Sequence, residues 1–126
     1  MTMDNKATSL TKQYIIEPKH SAAEVGSGDM PVLATPALIA FMENAAMLLA
    51  RNYTEEGSTT VGTMITTDHQ HATPIGETIT VTAQLSSIEG RKLTFTIEAT
   101  DQAGVVAQAT HERLIVSRQR FLERLG

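Results

Sequence analysis

The sequence predicts an α+β fold, a curled antiparallel sheet of about five strands wrapped around one long central helix. Three observations carry that expectation. A proline-led, alanine-rich segment beginning at Thr35 repeats its apolar residues at helical spacing. A short β-branched run precedes it, and nearly everything after Ser58 alternates apolar and polar residues in blocks divided by turn residues. One helix must then cover the apolar face of the whole sheet. About 18 residues at 1.5 Å rise give ~27 Å, enough to cross four or five strands spaced ~4.8 Å apart.

Each element has its own justification. Leu10, Tyr14, Ile15 and Ile16 mark a first strand over Ser9–Glu17, ended by Pro18. Residues 18–34 read as loop, with Gly26, Ser27, Gly28 and Asp29 as breakers. Thr35 then stands as an N-cap before Pro36 at the first helical position. Leu38, Met42, Ala45, Ala46 and Leu49 fall on one helical face, and the helix should reach about Tyr53 and stop before Gly57. Beyond it, four strands are expected in a meander. Val61, Thr63, Ile65 and Thr67 alternate, Ala72–Glu77 turns, and Ile79, Val81, Ala83 and Leu85 alternate strictly. A turn at Glu89–Lys92 leads to Leu93, Phe95, Ile97 and Ala99; another at Asp101–Gly104 leads to a long strand from Val105 to Val116. Ser117–Leu125 is a short basic tail with helical character. No repeat or linker divides the chain, so residues 1–126 read as one domain.

Composition removes whole classes of function. Ten basic residues against 14 acidic ones give a net charge of −4, which argues against the basic footprint of a nucleic-acid binder. With no cysteine, disulfides, thiolate metal sites and a cysteine nucleophile are excluded together, which fits a reducing, cytoplasmic setting. The polar stretch MTMDNKATSLTKQ has no apolar signal-like run. Pro36–Ala50 is too short and, with Glu43 and Asn44, too polar to span a bilayer, which takes ~20 apolar residues. No membrane or nucleic-acid partner is expected.

Glu43 is the most informative residue. It is the only charge between Pro36 and Ala50, and its neighbours three and four positions away, Ile39, Ala40, Ala46 and Met47, are all apolar. A helical glutamate with no basic partner at that spacing sits on the shoulder of the buried stripe, where its carboxylate is partly stripped of water. Either it is a rim residue bonded to backbone or it is functional. Thr35 has two readings as well: a plain N-cap, or a hydroxyl beside the free N–H groups of the first turn, donors suited to a developing oxyanion. Eight residues separate the two, ~12 Å along the axis. Two antiparallel copies of the helix across a two-fold axis would bring Thr35 of one subunit opposite Glu43 of the other, which predicts a homodimer.

Two further groups carry chemistry-bearing side chains. His69 and His71 share a face if their strand is regular, and three readings stand: a metal pair, polar residues at a strand end, or one histidine acting as base. The His-x-His pair is similar to the cupin pattern, but Gly62 and Glu77 miss its spacing. In Thr110-His111-Glu112-Arg113, alternation puts His111 and Arg113 on one face and Thr110 and Glu112 on the other. That block reads as a salt-bridged sheet face, or as an arginine holding the site or a thioester-linked ligand.

Taken together, the chain resembles the fluoroacetyl-CoA thioesterase-like branch of the hotdog superfamily over about residues 30–116. The carrying stretches are Ala34-Thr35 to Met42-Glu43, Gly62-Thr63, Asp68-His69 through Ala72-Thr73-Pro74 and Gly76, Thr80–Ala83, Glu89-Gly90-Arg91 and Thr110–Arg113. The resemblance implies a hotdog fold, a homodimer or higher homo-oligomer, and hydrolysis of an acyl-CoA thioester. It assigns Thr35, Glu43 and His69 as the catalytic trio, with Gly62 and Arg113 supporting substrate binding, no metal and no cofactor; His71 does not match the family histidine. Residues 18–34 contain no aromatic residue that would form a lid over a tiny acyl group, so the reaction carries over and the fluoroacetyl specificity does not. Pro36, where relatives commonly have glycine, removes one N–H from the helix start. The alternatives are a non-catalytic hotdog acyl-CoA-binding module and a histidine-rich metal-dependent barrel enzyme. A hotdog hydratase is less favoured, because no aspartate and histidine stand at the short spacing expected of one.

Overall fold

A computed structural model describes residues 6–126; the first five residues of the polar N-terminal stretch lie outside the described residues. Five antiparallel strands form one sheet: β1 (Ser9–Ile15), β2 (Ser58–His69), β3 (Thr78–Glu89), β4 (Lys92–Asp101) and β5 (Gly104–Ser117), in the order β1-β3-β4-β5-β2. Only β3, β4 and β5 form the expected meander. β2 lies beside β5 and β1 beside β3, so the edges of the sheet are built by the two strands that flank the long helix in sequence. The segment from residue 70 to 77 therefore crosses from one edge towards the other instead of closing a hairpin.

The 18–34 segment holds more structure than a loop. It contains a 3-10 turn at Pro18–His20 and a single helical turn, α1 (Ala22–Val25), whose Ser21 side chain accepts a bond from the Glu24 N–H. Such short turns have no periodic apolar face, so they leave no pattern in sequence. α2 spans Thr35–Ala50 and tightens into a 3-10 turn at Arg51–Tyr53, which together cover the span expected from sequence. The basic tail forms α3 (Arg118–Arg124), capped by Ser117.

α2 lies inside the curl. Leu38, Met42, Ala45, Ala46 and Leu49 are fully buried against Ile79, Val81, Leu93 and Phe95 of the sheet. Alanines at 37, 45, 46 and 50 keep the buried face of the helix slim, so its backbone packs close to the strands, while each large side chain contributes about 1.5–3 kcal/mol by burial. A sheet curled about one helix is the hotdog arrangement. No helix among the described residues is long and apolar enough to cross a membrane.

One irregularity positions the site. The β2–β5 register shifts between Gly62 and Met64, a β-bulge. Before it, Gly62 stands opposite Arg113; after it, Ile65 stands opposite His111 and His69 opposite Ala107. Arg113, His111 and Ala107 are buried on the helix side of β5, so Gly62 and His69 both face α2 despite their odd separation. Regular alternation would have put them on opposite faces. The single face expected for Val61, Thr63, Ile65 and Thr67 is broken by this extra residue.

Candidate active site

The expected site residues fall into two clusters, one at the start of α2 and one at its middle. At the start, the Thr35 Oγ1 lies 2.7 Å from His69 Nδ1. Thr35 is not the N-cap. That position belongs to Ala34, whose carbonyl accepts from the Leu38 N–H 3.0 Å away, and Thr35 is the first helical residue. Moving the cap back by one residue frees the threonine hydroxyl for the imidazole. The other ring nitrogen, Nε2 of His69, is buried and has no hydrogen-bonding partner among the described residues. Burial pushes the His69 pKa down, the His71 backbone pulls it up, and a positive His71 ring lowers it again; the net shift is downward. His69 is therefore a neutral imidazole near neutral pH, with one nitrogen engaged by a hydroxyl.

At mid-helix, Glu43 is half-buried and its carboxylate is packed against β2: a Cβ placed on Gly62 would stand 2.8 Å from Glu43 Oε2, 3.3 Å from Arg113 Nη1 and 3.3 Å from His111 Cε1. Glycine at the bulge thus lets a carboxylate, a guanidinium and an imidazole converge on one point of backbone.

Arg113 is buried and held on three sides. Its Nε donates to Thr60 Oγ1 at 2.8 Å, Nη2 to the Thr60 carbonyl at 3.1 Å, and Nη1 to His111 Nε2 at 3.2 Å. Those contacts settle the state of His111. Its Nδ1 is 2.7 Å from the Met64 carbonyl, which only accepts, so Nδ1 carries the proton. Nε2 faces Arg113, which only donates, so Nε2 is the acceptor and the ring is neutral. Burial lowers the His111 pKa; the Met64 carbonyl opposes this, Arg113 adds to it, and Glu43 and Glu112 oppose it. Burial likewise lowers the Arg113 pKa, against the charge of Glu43.

The alternation expected for Thr110–Arg113 is present. Glu112, on the outer face, pairs at 3.8 Å with Lys92, whereas Arg113 turns inward to Thr60 and His111. Thr60 was missed as a site residue; its position two residues before Gly62 puts it on the inward side. The regular-strand premise for His69 and His71 fails because β2 ends at His69. The two rings take different partners, Thr35 for His69 and Asp101 for His71. A cavity of about 390 Å³ opens beside the first cluster, with Met30, Leu33, Thr35, His69 and His71 in its walls. A hollow of about 570 Å³ on the outer face, among Thr66, Thr82, Thr96 and Thr110, is the open polar curve of the sheet, away from both clusters.

The arrangement offers a carboxylate beside a fixed cation, and separately a hydroxyl–imidazole pair at a helix start. Together these are the components of carbonyl hydrolysis. The fold is that of the hotdog thioesterases. The chain belongs to the fluoroacetyl-CoA-specific thioesterase family, whose model matches residues 16–119. A fluoroacetyl-CoA thioesterase from Streptantibioticus cattleyicolor is 39% identical over 90 residues, covering 71% of this chain and 65% of that protein, just under two thirds of its length. The solved structure of the fluoroacetyl-CoA thioesterase FlK superposes with a TM-score of 0.89 at 30% identity, covering 96% of this chain and 94% of that one. A mutant of the same enzyme in complex with fluoroacetate and CoA gives 0.84 at 31% identity, covering 93% and 98%.

Proposed function

We propose that the protein is a cytoplasmic homodimeric acyl-CoA thioesterase, releasing a free acid and CoA at two sites shared between subunits. The observation that carries this reading is the Glu43 carboxylate packed on Gly62 beside Arg113 and His111. Within one chain Glu43 and Thr35 are ~12 Å apart along α2. A two-fold axis perpendicular to the helix, which sets the two copies of α2 antiparallel, would complete each site with Thr35 and His69 of one subunit and Glu43 of the other. β2, twelve residues long and at the sheet edge, supports the pairing, because an open edge invites a second strand. The cysteine-free sequence fits a reducing compartment.

In this reading the thioester carbonyl lies against the start of α2, where the Thr35 hydroxyl and the helix dipole stabilise the oxyanion. Glu43 either takes a proton from the attacking water or attacks the carbonyl itself, forming an anhydride that water then cleaves. The carbon–sulfur bond breaks; in the water route the proton that Glu43 takes from the water passes through His69 to the departing thiolate, and in the anhydride route the thiolate receives it from the water that cleaves the anhydride. Gly62 leaves room for the carboxylate, and Arg113 supplies a positive charge near it. Incorporation of ¹⁸O into Glu43 during a single turnover in labelled water distinguishes the anhydride route from the water route.

Glu43→Gln tests the whole assignment. It should reduce thiol release from short acyl-CoA thioesters by about 10²–10⁴-fold while sedimentation still reports a dimer. Near-normal release rejects the role of Glu43, and tight acyl-CoA binding without release across a broad thioester panel replaces the hydrolase with a binding module.

A further inference from the structure

His71 is an imidazole that the proposed hydrolysis leaves unused, yet it is anchored at one nitrogen by a buried carboxylate. Its Nε2 lies 3.1 and 3.0 Å from the two oxygens of Asp101, a carboxylate only 3% exposed. The fully buried Thr73 donates its hydroxyl to the same carboxylate at 2.8 Å, and the Ala103 N–H does so at 2.8 Å. Burying a carboxylate is costly unless donors surround it, and here three do. Because the carboxylate accepts, Nε2 of His71 carries a proton, and Nδ1 is the nitrogen left for another partner. The ring is one-third exposed and lines the cavity that also holds Thr35 and His69.

That cavity has a mixed lining: Ala22, Met30, Val32 and Leu33 are among its apolar residues, and Ser27, Asp29 and His71 among its polar ones. It adjoins the hydroxyl–imidazole pair, so the acyl chain of a thioester held there would enter it.

We propose that His71, clamped by Asp101, is a specificity residue that selects acyl groups bearing a hydroxyl near the thioester carbonyl. The inference rests on Thr35 and His69 holding the thioester carbonyl. His71 lines the same cavity as Thr35 and His69, so a hydroxyl borne a few carbons from the carbonyl lies in the space that His71 faces. A hydroxyl suits either state of the ring, donating to a bare Nδ1 or accepting from a protonated one. Asp29 in the wall repels a second carboxylate, which disfavours dicarboxylic acyl groups.

The test is the ratio of kcat/KM for 3-hydroxybutyryl-CoA to that for butyryl-CoA, so that a general loss of activity cancels. The wild-type ratio should be about fivefold to tenfold in favour of the hydroxyl, the size of one net hydrogen bond. His71→Ala should bring it within about twofold of unity, and His71→Gln, which keeps a hydrogen-bonding end, should restore part of it. A wild-type ratio near one, or a preference that survives His71→Ala, overturns the inference while leaving the hydrolase reading intact. Absence of turnover with every short acyl-CoA overturns both.

Discussion

Gly62 and Glu43 fit each other: the carboxylate occupies the space that any side chain on Gly62 would need, 2.8 Å from where its Cβ would stand. The backbone at Gly62 is not in the left-handed region, so a substitution strains the carboxylate and not the strand. Gly62→Ala should lower thiol release by about 100-fold, the cost of displacing a reacting group by about 1 Å. The melting temperature should move by only a few degrees, since the displaced atom ends a flexible side chain. Thermal denaturation beside steady-state kinetics separates the two effects; an active Gly62→Ala enzyme would show that the contact is incidental.

The shared-site geometry makes a quantitative claim about mixtures. His69→Ala and Glu43→Gln lie in different clusters, and each should be inactive alone. Refolded together, half the dimers should be mixed, each with one intact site, and activity should return to about a quarter of wild type. No recovery, with mixed dimers verified by mass spectrometry, would place all the working residues in one subunit.

Arg113 should not tolerate lysine. If only its charge mattered, Arg113→Lys would lose less than Arg113→Ala. The guanidinium, however, makes three separate bonds, to Thr60 Oγ1, the Thr60 carbonyl and His111 Nε2, and an ammonium cannot reproduce that fork. Both substitutions should destabilise the fold by about 1–3 kcal/mol and reduce turnover comparably. Denaturant titration of the two variants checks this directly.

Acid should loosen the protein through its neutral imidazoles. The folded-state pKa values of His69 and His111 are held below the ordinary 6.5, so the unfolded chain takes up protons first as pH falls. Their contribution to stability is complete above about pH 6.5 and is lost progressively below it, by at most about 1.4 kcal/mol per pH unit for each ring. His111→Gln keeps a donor for Met64 and an acceptor for Arg113 but does not titrate, so it should flatten the profile. Asp101 behaves differently: burial alone would raise its pKa, but Thr73, the Ala103 amide and His71 outweigh that and hold it below 3.8. Its stabilising contribution is present above that value and fails only at lower pH. Unfolding free energy measured from pH 8 to 3 resolves the two stages.

The sequence was most legible where periodicity is long. α2, the inward faces of β3 and β4, and the inward pair His111 and Arg113 follow directly from alternation or helical spacing. Glu43 stood out because a single charge interrupted an apolar run. What alternation could not reveal depends on one residue more or less: the cap at Ala34 instead of Thr35, and the bulge after Gly62. Pairing order was equally hidden, since β2 reads the same whether its neighbour is β3 or β5. Asp101 gave no signal, because a carboxylate in a turn looks like ordinary solvated punctuation until Thr73, His71 and a backbone amide are found around it.

The bulge in β2 also bears on how such a chain tolerates length changes. Removing one residue between Gly62 and Met64 would leave every strand and most of the core in place, yet rotate the downstream half of β2 by one pleat and carry His69 to the outer side. Thr35 would then lose its imidazole while Glu43 kept its place at Gly62, in a folded molecule with an intact sheet. A frame-preserving deletion at this one point is thus a way for a descendant of this protein to lose the Thr35–His69 contact and keep the scaffold.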